Sequence, residues 1–426
     1  MSSRDLTTFV NKGLFNNDPS YELPKLNRKF YTSKKTNQTY CTVRYDKSSL
    51  TTDDYNSTGL FRSVVFNLSN NKVLAFAPPK SVKLNSVDFT DDWENDNIQV
   101  EEFVDGTMIN VFWDSTIGEG GDWQIASRSC VEANVGFYLH TGSKTFRHMF
   151  LDACNEVKLE FDYLNKKSDD NHQLSYSFVL QHPDNRIVVP YQKPNLVLVE
   201  TYKIKQTDGT NHLEISVYND DSLKQLLQEK TTISFPKIYD NNISFNNTQS
   251  FIDEYASKNT PYHVQGVVFK NLTKHIRAKV RNPIYEEVRR LKGNQPKKQY
   301  RYLTLRQQNK VSEYLHMFPE DKNCFSIFRS QLHTFTKGLY QNYVNCYIKK
   351  QKPLKEFPYQ FRTHMFHIHR KYLDEFVTEK KSIQLGTVIE YVNTLHPSQQ
   401  MFALNYHMRK RNMDSVDTSC LQESDA

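Results

Sequence analysis

The pattern of apolar and polar positions is clearest between residues 99 and 114. Apolar residues alternate with polar ones up to Phe103, an Asp-Gly pair follows, and the alternation resumes at Met108. Alternation with period two is typical of strands with one buried face, and Asp-Gly is a common tight turn between two such strands. The sequence therefore predicts a β-hairpin with Asp105 and Gly106 at its turn.

Similar patterns predict further strands before residue 290 and helices after it. Strands are expected at 40–45, 59–66, 72–76, 123–128, 196–202 and 264–269, a strand with its following turn at 174–189, and helices near 144–154 and 250–258. Later in the chain, apolar steps of three and four residues predict helices over 325–343, 359–380 and 384–394. The chain is thus predicted to be α+β over 1–290, with an all-α C-terminal domain over 291–412 and a disordered tail over 413–426.

Composition narrows the class of protein. The 426 residues carry a net charge of +7 and include six scattered cysteines without a Cys-x-x-Cys pair, which argues against a zinc cluster and a disulfide framework. No run approaches the roughly 18 apolar residues that a membrane span needs. The N-terminus lacks the apolar segment of a secretory signal. We therefore expect an intracellular, cytoplasmic protein with reduced thiols and no membrane partner.

Two clusters invite a metal interpretation. Residues 88–97 are acidic but lack the alternating pattern of a calcium loop, while His364, His367 and His369 have no cysteine or second carboxylate cluster nearby. A solvated loop and ordinary surface or core histidines are the favoured interpretations. No tightly bound metal is predicted.

Five sequence blocks follow one another in order: Val104-Asp-Gly-Thr107, Ser127-Arg-Ser129, Phe178 to Val189, Gln265 to Phe269 and Lys279-Val-Arg281. They resemble the covalent nucleotidyltransferases, and most closely the phage T4-type RNA ligase 1 family, over roughly residues 40–290. The most specific block is Phe-x-x-x-x-Pro-x-Asn-Arg-Ile-Val, starting at Phe178. The resemblance implies a nucleotidyltransferase (ATP-grasp-like ligase adenylyltransferase) fold of antiparallel sheets with helices.

The resemblance also identifies three substituted positions. Phe103 stands where the family has the lysine that accepts AMP, Val179 where it has a ribose-contacting glutamate, and Gln265 where it has a metal-holding carboxylate. A phenyl ring cannot form a phosphoramidate, so covalent catalysis at Phe103 is excluded chemically. ATP and Mg²⁺ are cofactors by resemblance only.

The cationic part of the family's site is retained. By resemblance, the residues expected to contact the nucleotide or its phosphates are Arg62, Asp105, Gly106, Arg128, Arg186, Lys279 and Arg281. For Arg62, an exposed strand arginine without a ligand remains an equal alternative.

A basic segment begins near residue 286, where the candidate RNA-binding residues are Arg289, Arg290, Lys297, Lys298, Tyr300 and Tyr302. Basic and aromatic residues together suit a nucleic-acid groove, because the charges meet phosphates and the rings stack on bases. A plain solvated helix face would have the same composition.

Three interpretations of function follow. The first is a degenerate, RNA ligase-like pseudoenzyme that binds RNA ends or a nucleotide without sealing. The second is a working ATP-dependent RNA ligase in RNA repair that uses a displaced lysine. The third is a structural or assembly protein whose helical domain binds a protein partner.

Overall fold

The computed structural model describes residues 3–82, 84, 98–136, 144–169, 172–207, 212–243, 247–274, 276–378 and 380–408. The chain divides into two compact units after Arg290. Among these residues, no helix is both long and apolar enough to cross a bilayer. The acidic segment 88–97 and the predicted disordered tail 413–426 lie outside the described residues.

The first unit contains sixteen strands among the described residues. They are β1 (Arg4–Asp5), β2 (Leu26–Thr32), β3 (Thr39–Tyr45), β4 (Val64–Asn67), β5 (Val73–Phe76), β6 (Ile98–Glu102), β7 (Thr107–Asp114), β8 (Asp122–Ser127), β9 (Cys130–Val131), β10 (Lys167–Asp169), β11 (His172–Gln181), β12 (Asn195–Gln206), β13 (Leu213–Val217), β14 (Ile238–Ile243), β15 (Gly266–Asn271) and β16 (Ile276–Arg281).

These strands form three antiparallel sheets. The largest follows the order β1-β13-β12-β11-β7-β8-β9, with β10 paired to β11. A second sheet has the order β14-β6-β15-β16, and a third has the order β2-β3-β4-β5. The helices of this unit are α1 (Thr7–Asn11), α2 (Phe146–Val157), α3 (Asp221–Lys230), α4 (Thr248–Tyr255) and α5 (Pro283–Lys292), the last of which contains the boundary between the units.

Helix α2 shows how the sequence forms these elements. The Thr145 side chain accepts a hydrogen bond from the backbone N–H of His148, which caps the first turn. The helix buries one face against the largest sheet, where Phe150 meets Phe178 of β11 with ring centroids 6.0 Å apart. Lys158 ends the helix with a left-handed backbone (φ 59°).

The predicted Asp-Gly hairpin is wrong. Strand β6 pairs with β14 and β15 in the second sheet, whereas β7 pairs with β8 and β11 in the largest sheet. The chain therefore changes sheets at Asp105 and Gly106 instead of folding back on itself. Both strands are buried by other partners, and a local alternation pattern cannot distinguish a hairpin from a crossover.

The second unit is helical over its described residues. It contains α6 (Lys298–Gln307), α7 (Val311–Met317), α8 (Lys322–Tyr343), α9 (Tyr359–Lys371), α10 (Leu385–Thr394) and α11 (Pro397–Leu404). Helix α8 buries a stripe at helical spacing that includes Phe325, Leu332, Phe335, Leu339 and Tyr343. The long amphipathic helix expected over 325–343 is thus present and begins three residues earlier.

The predicted α+β class, with antiparallel sheets and a C-terminal helical region, is confirmed. Two predicted boundaries change. The strand expected over 59–66 begins only at Val64, because Thr58–Leu60 forms a 3₁₀ turn and Arg62 follows it in a bend. The helix expected over 359–380 ends at Lys371 and continues as a π-helical turn over Tyr372–Phe376.

Candidate functional site

The connection from β6 to β7 is held rigidly from several sides. The Asp105 carboxylate is buried and accepts hydrogen bonds from the Tyr285 hydroxyl (2.7 Å) and the Val189 backbone N–H (3.1 Å). Gly106 has φ +146°, and a Cβ there would lie 2.5 Å from the Leu180 carbonyl oxygen. Asp105 and Gly106 therefore fix the backbone at the crossover, directly after Phe103.

A cavity of about 220 Å³ opens beside this connection. Five cationic side chains line it: Arg62, Arg289 of α5, and Arg277, Lys279 and Arg281 on alternate positions of β16. Alternate residues of a strand point to the same face, so β16 presents three cations together. The cavity is smaller than the roughly 300–1,000 Å³ of typical ligand pockets. It accommodates a phosphate group more readily than a whole nucleotide.

Phe103 lies in the lining of this cavity, among its cations. The Lys279 amine is 5.3 Å from the centre of the Phe103 ring, and the Arg281 guanidinium carbon is 5.5 Å from it. The negative face of an aromatic ring attracts cations at such distances. Phe103 can thus hold the two basic side chains in place, but it has no lone pair with which to attack phosphorus.

Burial and the repulsion between these cations lower the pKa values of Lys279 and Arg62. Burial, followed by the neighbouring charges of Arg62 and Arg281, lowers the pKa of Lys279 to about 6. The Lys279 amine is therefore mostly neutral at pH 7. Burial and the charge of Arg277 also lower the pKa of Arg62, to about 10, so this guanidinium stays charged. A bound anion would favour the protonated form of Lys279. The cavity is therefore suited to binding an anion.

Three acidic residues also line the cavity: Glu102, Glu101, which pairs with Lys270, and Asp105, which accepts from Tyr285 and Val189. Glu286 accepts from Arg281 (2.8 Å) and from Arg289 (3.1 Å), so a single acid serves two guanidinium groups. Among the described residues, no ion pair involves Lys279 or Arg62. Five cationic and three acidic side chains line the cavity, so its lining carries a formal positive charge.

The residues present do not fit a magnesium ion at the family's metal position. Val179, which the resemblance places at a ribose-contacting position, lies in the cavity lining with no oxygen to offer. Gln265 also lines it, and its buried Oε1 has no hydrogen-bond partner among the described residues. At position 265 a neutral amide oxygen stands in place of the charged oxygen ligand that Mg²⁺ prefers. Of the carboxylates in the lining, Glu101 is paired with Lys270, and Asp105 accepts from Tyr285 and Val189.

A larger cavity of about 510 Å³ shares Glu101 and Arg277 with the first. In its wall, the Lys270 amine lies 3.0 Å from Glu101 and 3.4 Å from Glu200. The paired carboxylates raise the pKa of Lys270 despite its burial. The second cavity has the size of a small-molecule pocket and adjoins the cationic one.

Two predicted phosphate contacts are absent from the lining of the cationic cavity. The exposed Arg128 donates from Nε to the backbone oxygen of Arg62 (3.4 Å), and its guanidinium lies over the ring of Tyr45. Arg186 is buried and donates from Nε to the backbone oxygen of Val188 (2.9 Å). Arg128 supports the backbone of a cavity residue, and Arg186 supports the turn after β11.

The predicted RNA groove is not one continuous element. Arg289 and Arg290 lie on α5, whereas Lys298, Tyr300 and Tyr302 lie on α6. Arg290 is exposed, as is Lys297, which precedes α6.

Two members of the predicted groove have structural contacts within the helical unit. Lys298 pairs with Asp321 at 2.7 Å. Tyr302 is buried against Phe325, with ring centroids 5.2 Å apart, so its ring is not available to stack on a base. Its burial in the helical core is a tertiary effect that the basic-aromatic composition did not reveal. Tyr300 remains partly exposed.

Sequence reasoning missed three residues of the site. Arg277 stands two positions before Lys279, and the period of a strand could have identified it. Tyr285 and Glu286 follow β16 at the start of α5, where their contacts with Asp105 and Arg281 depend on the tertiary fold. Their sequence carries no signal for those roles.

Comparison with known proteins gives a limited match. No family model matches the chain. It is 27% identical over 118 residues to an RNA ligase of Rhodothermus phage RM378, a match covering 26% of this chain and 24% of the relative. The matched segment thus spans about a quarter of that relative's length.

Solved structures show only weak similarity. A mutant of the Naegleria gruberi RNA ligase with ATP and Mn aligns with a TM-score of 0.36 and 15% identity, over 50% of this chain and 58% of that one. An archaeal ATP-dependent RNA ligase aligns with a TM-score of 0.39 and 11% identity, over 71% and 67%. The sequence match supports the conclusion that this chain is distantly related to RNA ligases.

Proposed function

We propose that this protein is an RNA ligase-like pseudoenzyme that binds the phosphate of a nucleotide or an RNA end in the cationic cavity beside Phe103. The observation that carries the proposal is the convergence of Arg62, Arg277, Lys279 and Arg281 on one small cavity. Arginine guanidinium groups and a lysine amine can donate charge-assisted hydrogen bonds to phosphate oxygens. The distant relationship to RNA ligases makes RNA the expected partner.

The cavity lacks the groups that covalent nucleotidyl transfer needs at the family's positions. Covalent nucleotidyl transfer at the family's position needs a nitrogen nucleophile where Phe103 stands and carboxylates where Val179 and Gln265 stand. The cations alone stabilise a bound phosphate but supply neither group. Binding without sealing is therefore the activity that these residues support.

A binding assay tests this proposal. A short RNA with a 5′-phosphate should bind more tightly than the same RNA with a 5′-hydroxyl, as measured by fluorescence anisotropy. Arg62→Met should abolish most of that preference, with about tenfold weaker binding of the phosphorylated end, which corresponds to about 1.4 kcal/mol. Lys193→Met is a matched control, because Lys193 is 81% exposed and lies outside the cavity lining. Equal affinity for both ends, or an unaffected Arg62→Met protein, would contradict the proposal.

A labelling experiment tests the absence of covalent chemistry at Phe103. Incubation with α-labelled ATP and magnesium should give no covalent protein–AMP adduct with the stability of a phosphoramidate, which survives alkali and is cleaved in acid. Phe103→Lys alone should remain unlabelled, because the substitution does not restore the carboxylates at positions 179 and 265. An adduct on the unmodified protein would refute the pseudoenzyme proposal.

One observation favours the second candidate function, an active ligase with a displaced lysine. Lys279 has its pKa lowered to about 6, so a neutral amine lies beside the position of the absent nucleophile. In this alternative, Lys279 Nζ attacks the α-phosphorus of ATP, a P–N bond forms, and pyrophosphate leaves with the electrons of the broken P–O bond. An adduct mapped to Lys279 by peptide mass spectrometry, and lost in Lys279→Arg, would establish it.

A further inference from the structure

The C-terminal ends of α8 and α9 lie together in the helical unit. Both helices continue as π-helical turns, over Val344–Ile348 and Tyr372–Phe376. Tyr343, the last residue of α8, has its hydroxyl 3.4 Å from Nδ1 of His369 near the end of α9. Single π-helical turns are rare and often occur at functional sites. Two of them side by side distinguish this region of the unit.

Three nearly parallel rings join the two ends. Tyr347 stacks on His369 with centroids 3.8 Å apart and planes 15° apart, and His369 stacks on Tyr372 at 5.8 Å and 20°. We call Tyr347, His369 and Tyr372 the aromatic ladder. All three rings are partly exposed. Burial lowers the pKa of His369, which favours the neutral form of its ring.

Basic residues surround the ladder in sequence. Lys349 and Lys350 follow Tyr347 directly after the first π-helical turn, and both are exposed. Among the described residues, neither of them has an acidic partner. Arg370 and Lys371 lie between His369 and Tyr372, and each pairs only loosely, at 3.7 Å, with an acid one turn later. The region therefore keeps a positive net charge.

Stabilisation of the helix ends explains part of this arrangement but not all of it. Cations in a last turn interact favourably with the helix dipole, which accounts for Arg370 and Lys371. It does not account for partly exposed stacked rings. Nor does it explain two large apolar side chains, Ile348 and Leu373, each 55% exposed at these same turns. Exposed apolar and aromatic surface beside basic residues is typical of a binding surface.

We infer that the aromatic ladder and its neighbouring lysines bind single-stranded nucleic acid. In this interaction, unpaired bases stack on Tyr347 and Tyr372, while Lys349 and Lys350 contact backbone phosphates. Aromatic side chains suit unpaired bases because every base has a face that can stack on a ring. Lysine side chains contact backbone phosphates whatever the nucleotide sequence. This surface belongs to the helical unit and does not depend on the cationic cavity. It also replaces the stacking role predicted for Tyr302.

The charge of the surface favours nucleic acid over an apolar protein partner. A helix that packs on Ile348 and Leu373 would bury Lys349 and Lys350 unless it carried acids opposite them. Burying unpaired ammonium groups is costly, whereas a nucleic acid brings a phosphate with each base. An acidic protein segment is the alternative occupant, and the experiment below separates the two.

The test uses the full chain and a 12-nucleotide RNA with a 5′-hydroxyl and a 3′-fluorophore. Without a 5′-phosphate, the RNA does not probe binding of phosphorylated ends in the cavity. Tyr347→Ala and Tyr372→Ala should each weaken binding about 5- to 150-fold with little change in salt dependence. The double variant Lys349→Gln/Lys350→Gln should lower the slope of log K against log salt by about 1.4, since each contact contributes roughly 0.7 for single strands.

Two controls complete the experiment. Tyr359→Ala removes another exposed, stacked tyrosine of the same unit, whose ring partner is Tyr406 at 5.6 Å, and should leave RNA binding unchanged. Since the two lysines are exposed, their replacement tests the inference even if a tyrosine variant unfolds. RNA affinity and salt slope unchanged by the lysine variant would overturn the inference. So would tight binding of a polyglutamate peptide without RNA binding, which would assign the surface to an acidic protein.

Discussion

The chemistry of the cationic cavity depends on single residues, chiefly Phe103 and Lys279. The Phe103 side chain offers no nucleophilic atom, and its ring centre lies 5.3 Å from the Lys279 amine. Burial, together with the neighbouring guanidinium groups, lowers the pKa of Lys279 to about 6, so its amine is mostly neutral at pH 7. Lys279 can therefore take up a proton when an anion binds beside it.

This coupling predicts how phosphate binding depends on pH. Lys279 has a pKa of about 6 in the free protein, and an adjacent phosphate should raise it, so binding between pH 7 and 9 takes up protons. Affinity for a 5′-phosphate should therefore fall as pH rises through this range, where the phosphate itself is already a dianion. Calorimetry in buffers of different ionisation enthalpy measures the uptake. Lys279→Arg should abolish it, because arginine stays protonated throughout. Equal uptake in that variant would assign the proton elsewhere.

At the scale of elements, the crossover from β6 to β7 organises the cavity. It carries Phe103 into the lining, and it depends on the backbone of Gly106, which has φ +146°. The carbonyl of Leu180 and the side chain of Val179 occupy the space that a Cβ would need. The strand pairing of β7 with β11 thus leaves room only for glycine.

Gly106→Ala should destabilise the protein severely, by roughly 3 kcal/mol or more, because both the backbone angle and the clash oppose the methyl group. Urea unfolding measures the difference. Gly120→Ala is the matched control, since no atom lies within 4 Å of its Cβ position and its φ is not positive. It should change stability by no more than about 1 kcal/mol. A Gly106→Ala protein as stable as the control would show that the crossover can relax.

At the scale of the whole molecule, the chain combines a sheet-rich unit with a helical one. The sequence-based domain boundary at residue 290 remains a proposal. Residues 294–297, just after α5, are exposed. Such a segment is a suitable site for cleavage between independently folded parts.

We therefore expect limited trypsin digestion to cut first after Lys297 and to yield two protease-resistant fragments. A chain ending at Lys292 should unfold in one cooperative transition with the same midpoint in urea as the sheet-rich part of the intact protein. Circular dichroism and intrinsic fluorescence measure that midpoint. Aggregation or non-cooperative unfolding of this fragment would contradict independent folding of the first unit.

The sequence by itself determined most element types and the chemical groups that each side chain can supply. Alternation and helical spacing are local properties, so strands such as β7 and helices such as α8 could be predicted from them. The absence of a nucleophile at Phe103 is also a property of one side chain. Arg62, Lys279 and Arg281 were expected at the site by resemblance, and all three line the cavity.

Only the tertiary structure decided which residues meet. The Asp-Gly pair proved to be a crossover because hydrogen bonds to distant strands, not the local pattern, select the sheet that each strand joins. Arg128 and Tyr302 lost their predicted roles through contacts with Arg62 and Phe325, far away in sequence. The lowered pKa of Lys279 likewise requires several separated cations in one buried place. Local sequence specifies each residue's chemistry, whereas long-range packing determines its neighbours and its charge.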